Sequence, residues 1–175
     1  MNEPATIARI DAAEAAASIE ALADVLIDCV EGGASVSFML PISRDTAREF
    51  WRNVSDGVAR GERALLVARD QSGDIVGTVQ LITAQPENQP HRADVAKMLV
   101  HRKARRRGIA HALISEVEHL ARAERKSVLL LDTVTGGDAE RLYQRAGWQR
   151  VGHVPNYALM PDGAPCGTTF YCKQL

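Results

Sequence analysis

The sequence predicts an α/β fold, a mixed and mostly antiparallel sheet that carries one central parallel strand pair and is flanked by helices. Three observations predict it. Two β-rich runs about a polar, glycine-containing turn, in "ALLVARDQSGDIVGTVQLI", read as an antiparallel hairpin. Strand, helix and strand then follow in that order from "ADVAKMLV" to "SVLLLDT", which argues for a right-handed parallel crossover. Amphipathic runs of helical period stand on either side of this block. With 175 residues and 46% apolar composition, a single domain over residues 1–175 has material for a core, and no linker interrupts it.

Taken in order, residues 6–10 form a short first strand. Asp11 with Glu14 three later makes a capping box, and Ile19, Leu22, Ala23, Leu26, Cys29 and Val30 fall on one face of the helix it opens, which stops at Gly32 and Gly33. "GGASVSFMLP" follows; its Phe38, Met39 and Leu40 are too apolar for an idle solvated loop, so it is expected to line a pocket. Ser43 caps a second helix that buries Ala47, Phe50, Trp51, Val54 and Val58 and ends at Gly61. After the hairpin and the strand "ADVAKMLV", Leu113, Ile114, Val117, Leu120 and Ala121 mark a helix from Ala110 to about Glu124, and "SVLLLDT" reads as a strand buried on both faces. Asp138 caps a last helix with Ala139, Leu142, Tyr143 and Ala146 on one side and Gly147 as its stop. "WQRVGHVPNY" and "TTFYCKQL" close the chain as two strands about a "PDG" turn.

Charge narrows the function classes. The chain holds 21 Lys and Arg against 22 Asp and Glu, a formal net charge of −1, so as a whole it exerts no pull on nucleic acid or membrane. The start, "MNEPATIARIDAAEAAA", is acidic early and does not resemble a secretory signal, and no apolar run is long enough to span a bilayer. Cys29, Cys166 and Cys172 are odd in number and scattered, which suits free thiols and a cytoplasmic location. Without CxxC or paired histidines at ligand spacing, no metal site is expected. His91, His101, His111, His119 and His153 have no partner visible in sequence and are expected at the surface; His91 is nearest the cleft.

Against that background one local feature stands out. His101, Arg102, Lys103, Arg105, Arg106 and Arg107 lie between the strand ending at Val100 and the helix beginning near Ala110. There the first backbone N–H groups of a helix point outward without partners, an anion site that Gly108 leaves open by having no Cβ and that the arginines supplement with charge-assisted hydrogen bonds. Three readings compete: a nucleic-acid patch, which lacks a basic protein and interleaved aromatics; a solvated cluster; and a cradle for a pyrophosphate-like ligand. Neither GxxxxGK[ST] nor GxGxxG after a strand is present, so the P-loop and dinucleotide folds are not indicated.

"RRRGIA" resembles the [QR]xxGx[GA] signature of the GCN5-related N-acetyltransferases. "AKMLV" is similar to that family's cofactor-contacting strand, and "AERLYQRAGW" to its "AxxLYxxxGF" helix, with Tyr143 at the tyrosine position. Further stretches, "GGASVSFM", "HRADVAKMLV", "LLLDT", "YALMPDG" and "TTFYCKQL", resemble a toxin-resistance branch of the family that acetylates the free amino group of an amino-acid-like β-lactam toxin. Many members of the family place an asparagine where this chain has Gly136, so any cofactor contact by that side chain is lost, and Gly136 and Gly137 are left to offer backbone groups or to form the turn before the cap.

The resemblance implies acetyl-coenzyme A as co-substrate. It implies that the parallel pair splays around this molecule, that Arg105, Arg106, Arg107, Gly108, Ile109 and Ala110 hold its pyrophosphate, and that the backbone from Met98 through Leu99 to Val100 meets its thioester. Transfer to an amine needs a neutral nucleophile, a stabilised oxyanion and a proton for the departing thiolate. Tyr143 is the candidate acid. Asp94 and Asp132, at the start of one parallel strand and the end of the other, are candidates for receiving the amine, although a carboxylate near ~4 is a weak base for an ammonium near ~10 and a water must relay the proton or burial must raise the acid. The alternative for Asp94 is an ion pair with Arg92 or Lys97; for Asp132, a cap or loop hydrogen bond. The expected acceptor is a small amino-acid-like amine attacking directly in a ternary complex, with a protein lysine or N-terminus as rival and a non-catalytic coenzyme A binding module as the other class. The family's habits allow a homodimer.

Overall fold

The computed structural model describes residues 5–175; Met1 to Pro4, on which part of the reading of the acidic start rests, lie outside the described residues. Seven strands form one sheet: β1 (Thr6–Ile10), β2 (Arg63–Arg69), β3 (Ile75–Ile82), β4 (Arg92–Val100), β5 (Val128–Val134), β6 (Gln149–Leu159) and β7 (Pro165–Gln174), in the order β1-β2-β3-β4-β5-β7-β6. Every neighbouring pair is antiparallel except β4 and β5, which run parallel with the crossover helix α4 between them in sequence, as the strand-helix-strand order predicts.

The first helical stretch is two helices, α1 (Ala12–Ala17) and α2 (Ile19–Glu31), where the periodicity suggests one. Half of the predicted capping box forms, with Glu14 N–H donating to Asp11 Oδ1 at 2.8 Å while the Glu14 carboxylate takes Arg69 instead; Ser18 then leaves helical geometry and α2 restarts behind it. Gly33 at φ +89° ends α2: Ala34 N–H reaches back to the Cys29 carbonyl (2.9 Å) and Gly33 N–H to that of Val30 (3.0 Å), which satisfies carbonyls the helix leaves over. Helix α3 (Arg44–Ala59) is capped by Ser43, whose oxygen accepts Thr46 N–H at 3.0 Å.

Helices pack on both faces of the sheet. The strand alternation of β2 sends Ala64, Leu66 and Ala68 into one core with Leu113, Ile114 and Val117 of α4 (Ile109–Ala123), and Leu65 and Val67 into the other with Leu22, Leu26, Trp51 and Val54 of α2 and α3. Each such aliphatic side chain, fully withdrawn from water, contributes about 1.5–3 kcal/mol before entropy is counted. β2 and β3 are therefore the strands buried on both faces. The expectation that "SVLLLDT" would be so is corrected: Leu129 and Leu131 are buried under α4, while Asp132, two residues on from half-buried Leu130 along the other face, is exposed. What lies over that other face is a cleft.

Helix α5 (Asp138–Arg145) starts one residue differently from the prediction. Gly137 is the N-cap, Asp138 is already helical and paired with Arg141, and Glu140 reaches back to accept Gly136 N–H at 2.6 Å. Gly136, at φ +82°, thus serves the turn that launches α5.

Candidate functional site: a cleft between two diverging strands

β4 and β5 pair only at Arg92↔Val128, Ala93↔Leu129 and Asp94↔Leu130. Beyond those positions β4 continues against β3 as far as Val100, and β5 against β7 as far as Val134, so the two part and leave a V-shaped opening. A β-bulge widens it: β3 advances two residues from Thr78 to Gln80 while β4 advances three from Ala96 to Leu99. Lys97 sits in the bulge at φ +50°, with its carbonyl held by Thr78 Oγ1 at 3.2 Å.

The opening is a cleft of about 650 Å³ walled by Val95–Met98 of β4, Asp132–Val134 of β5, and Ala139 and Tyr143 of α5. Two loops roof it. Gly33–Met39 covers one side, as the apolar character of that segment predicts, and the Tyr157–Met160 stretch at the end of β6 the other; Ser35 Oγ donates to the Leu159 carbonyl (3.0 Å) and Leu40 N–H to that of Pro161 (2.9 Å), joining them. Phe38 packs edge-on against Phe50, with ring centroids 5.3 Å apart, anchoring the first loop on α3.

Within the cleft, Tyr143 is 5% exposed, and both its burial and the nearby charge of Asp132 push its phenol well above the ordinary tyrosine value. It therefore remains a proton donor throughout the neutral range. Of the two carboxylates singled out in the sequence, Asp132 lines the cleft and Asp94 does not. Asp94 is turned to its neighbours: one oxygen is paired with the Arg92 guanidinium, the other accepts Gln85 Nε2 at 3.0 Å, and Arg92 is in turn held by Gln89 at 2.7 Å. This is the Arg92 ion pair anticipated as the alternative for Asp94.

Beyond the end of β4 the chain makes a short 3₁₀ turn, Arg102–Ala104, which the sequence did not announce, and reaches Gly108, the N-cap of α4 at φ +77°. Ala112 is the first residue of α4 to donate into the helix, to the Gly108 carbonyl at 3.0 Å, so the amides of Ile109, Ala110 and His111 have no acceptor within it. No heavy atom lies within 4 Å of where a Gly108 Cβ would stand. The amides and the gap fit an anionic group such as a pyrophosphate.

The basic run divides in two. Arg102 is committed to α2, with its N–H and Nε both on the Asp28 carboxylate at 2.7 and 2.9 Å, and His101 lies 3.3 Å from the same carboxylate, half-buried rather than at the surface. Arg105 folds back so that Nε donates to the Val100 carbonyl at 3.2 Å, beside Cys29, whose thiol burial pushes up. Arg106 and Arg107 are exposed beside Gly108. Leu99 is buried and Met98 and Val100 are partly so; their backbones follow the free edge of β4.

The model of the acetyltransferase (GNAT) domain matches residues 61–150, the block from β2 to the start of β6 that builds this cleft and turn. The chain belongs to the GNAT acetyltransferase family. A curated relative, an uncharacterized N-acetyltransferase from the hisH-hisA intergenic region of Azospirillum brasilense, is 33% identical over 129 residues, covering 73% of this acetyltransferase and 74% of that protein. Among solved structures, a phosphinothricin acetyltransferase of the GNAT superfamily from Sinorhizobium meliloti, in complex with AcCoA, aligns over 99% of this chain and 89% of its own with TM-score 0.80 and 19% identity. A ribosomal-protein-alanine N-acetyltransferase from Brucella melitensis aligns over 97% and 99%, with TM-score 0.79 and 22% identity. The last two share the fold with this acetyltransferase.

Three residues of this acetyltransferase escaped the sequence reading as parts of the site, Lys97 having been considered only as a partner for Asp94. Lys97 lines the cleft with its Nζ 3.1 Å from Ser37 Oγ and 5.9 Å from the Phe50 ring centroid. Desolvation lowers its ammonium from the ordinary lysine value, and Asp132 partly offsets this. Its signal was the one charged side chain inside an otherwise apolar "VAKMLV". Gly77 on β3 stands where an added Cβ would meet the Leu99 carbonyl at 3.1 Å and Ile109 Cγ2 at 3.3 Å, so its bareness lets α4 sit close on the sheet. Glu140, through Gly136, has no sequence signal beyond the general capping pattern. Among the described residues no helix is long and apolar enough to cross a membrane, the three cysteines are free, and no three His, Cys, Asp or Glu side chains gather as a metal group.

Proposed function

We propose that this acyltransferase moves the acetyl group of acetyl-coenzyme A to the primary amine of a small amino-acid-like acceptor by direct attack in a ternary complex. The observation that carries the reading is the continuity of one strand. β4 presents a free backbone edge along the cleft and leads directly into the turn whose bare amides suit a pyrophosphate. A thioester carrier held at Ile109, Ala110 and the Arg105–Gly108 turn, with its arm along Met98–Val100, brings its carbonyl into the cleft beside Tyr143 and Asp132. Backbone N–H groups of the free β4 edge are the oxyanion donors.

Asp132, rather than Asp94, receives the acceptor's ammonium, because both Asp94 oxygens are already engaged. Its exposure gives the departing proton a route through water. Attack of the neutral amine on the thioester carbonyl then gives a tetrahedral oxyanion, and collapse breaks the C–S bond. Tyr143, kept protonated by burial, donates its proton to the leaving sulfur and recovers one from solvent. Cys29 is 2% exposed in the second core and takes no part.

The likeness of "GGASVSFM", "LLLDT" and "YALMPDG" to the tabtoxin resistance acetyltransferase supports an amino-acid-like or toxin-like acceptor, and all three stretches contribute residues to the lining of the cleft. Free thiols fit a cytoplasmic location. A screen of amines with acetyl-coenzyme A, reading free thiol and product mass, tests the proposal. Acetylated small amines are expected; acetylation confined to protein lysines or N-termini, or tight coenzyme A binding without product, overturns it.

A further inference from the structure

Lys97 and Asp132 line opposite walls of one cleft, one on each of the diverging strands, and among the described residues Lys97 forms no ion pair with any carboxylate. Among the described residues the one polar partner of its Nζ is the Ser37 hydroxyl, and the Phe50 ring lies 5.9 Å away. A half-buried ammonium so sparsely compensated is costly to the fold, and the backbone around it is unusual too, since a lysine at φ +50° in a bulge is a conformation that L side chains seldom adopt. Apart from Lys97 and Asp132, the titratable groups walling the cleft are the phenols Tyr143 and Tyr157, so one cation and one anion face the same space from opposite sides.

We propose that Lys97 is the specificity-determining anchor for a carboxylate on the acceptor, so that the enzyme selects amines that also carry a carboxylate: the ammonium end turns to Asp132 and the carboxylate end to Lys97. The inference rests on the acetyltransferase reading given above. A zwitterion laid between the two walls supplies each with the opposite charge, and a carboxylate in place of water at Lys97 Nζ forms a charge-assisted hydrogen bond in a site partly shielded from solvent. Ser37, on the roof loop, holds the ammonium in position before the acceptor arrives. The same arrangement fixes direction, because a reversed zwitterion would set carboxylate against Asp132 and ammonium against Lys97.

The experiment compares kcat/KM, by thiol release from acetyl-coenzyme A, for a set of free amino acids and for the matching amino-acid amides, which keep the amine and lose the carboxylate. The wild-type enzyme is expected to prefer the acids by about 10- to 100-fold, the size of a hydrogen bond to a charged group. Lys97→Met is expected to collapse that ratio toward one, chiefly through KM for the acids, and Lys97→Arg to retain most of it. Equal kcat/KM for acids and amides in the wild type overturns the inference while leaving the acetyltransferase reading intact. An equal fall for acids and amides in Lys97→Met also overturns it, and assigns Lys97 to proton transfer or to the wall of the site. No thiol release with any amine sinks both readings together.

Discussion

Glu118 of α4 accepts the indole N–H of Trp148 at 2.9 Å, and its other carboxylate oxygen binds Lys173 Nζ of β7 at 2.7 Å. One buried carboxylate thus ties the crossover helix to the turn behind α5 and to the C-terminal strand. Trp148 packs in turn against Tyr143, with ring centroids 6.0 Å apart and planes tilted by 57°, so the tie also locates the proposed acid. The side chains of Glu118 and Lys173 are only 9% and 17% exposed, and removing the carboxylate leaves a half-buried ammonium with the Ala146 carbonyl alone and an indole donor with no acceptor. Glu118→Ala is expected to cost about 2–4 kcal/mol, below the full loss for a wholly buried pair because the ammonium keeps the Ala146 carbonyl. Urea unfolding with an unchanged m value is the measurement, and a loss under 1 kcal/mol contradicts the assignment.

Gly77 is expected to act on the co-substrate site from a distance. An alanine methyl there meets the Leu99 carbonyl and Ile109 side chain at 3.1–3.3 Å, so either β4 or the start of α4 must shift by a few tenths of an ångström. Both border the proposed thioester site. Gly77→Ala should raise KM for acetyl-coenzyme A about 5- to 30-fold, corresponding to roughly 1–2 kcal/mol of lost complementarity. KM for the acceptor should change far less.

Gly108 offers a test with a built-in control. Its φ of +77° makes an alanine strained by about 1–2 kcal/mol, yet the added methyl touches nothing in the protein. Gly73, in the β2–β3 turn at φ +85°, is equally open and far removed in the chain from the cleft walls. Gly108→Ala and Gly73→Ala should therefore lose similar stability. Only Gly108→Ala should weaken coenzyme A binding by calorimetry, since only there does the methyl stand where a phosphate approaches. Equal affinity in both variants argues against a pyrophosphate at this turn.

Most of this scaffold was legible because it follows from local periodicity. Thr6–Ile10 lies where β-propensity and the Asp11 cap put it, the β2–β3 hairpin and the parallel β4–β5 pair follow their patterns, and Gly33, Gly61 and Gly147 end helices at positive φ as expected. The parts that were not legible depend on where strands diverge. The family resemblance implies a splay, but no local signal says that β4 and β5 stop pairing after Asp94 and Leu130, and that single event leaves Asp132 lining a cleft instead of a second core. The bulge that aims Lys97 likewise arises from a count of residues on two strands, which neither strand carries alone. Arg102 and His101 read as members of a basic run until α2 brings Asp28 beside them across 74 positions of sequence.

Tyr143→Phe isolates the proposed proton donor. Turnover is expected to fall about 10²- to 10⁴-fold with little change in either KM. Folding should report the same hydroxyl independently. Because the folded phenol is held above its unfolded value, the unfolded chain loses that proton first, so this stability contribution is complete below about pH 10 and drains away as pH rises further. The phenylalanine variant should show a shallower alkaline fall in stability than the wild type. Wild-type turnover at neutral pH would remove Tyr143 from the reaction.

Lys97 carries the opposite slope. Burial holds its folded ammonium below the unfolded value near ~10.4, so between the two values the unfolded chain binds more protons and stability rises with pH; below the folded value the full cost of the desolvated charge is present. Replacing Lys97 by methionine removes that cost, keeps a comparable length of chain, and sets a polarizable sulfur near the Phe50 ring. Lys97→Met is accordingly expected to melt roughly 2–4 °C higher than the wild type at pH 7, with the difference narrowing as the pH approaches 10.5, even as selection between acids and amides is lost. A thermal melt series across pH reads this directly. A variant less stable than the wild type at pH 7 would show that Ser37 and Asp132 already compensate the ammonium, and would remove the energetic reason for an anionic partner in the cleft.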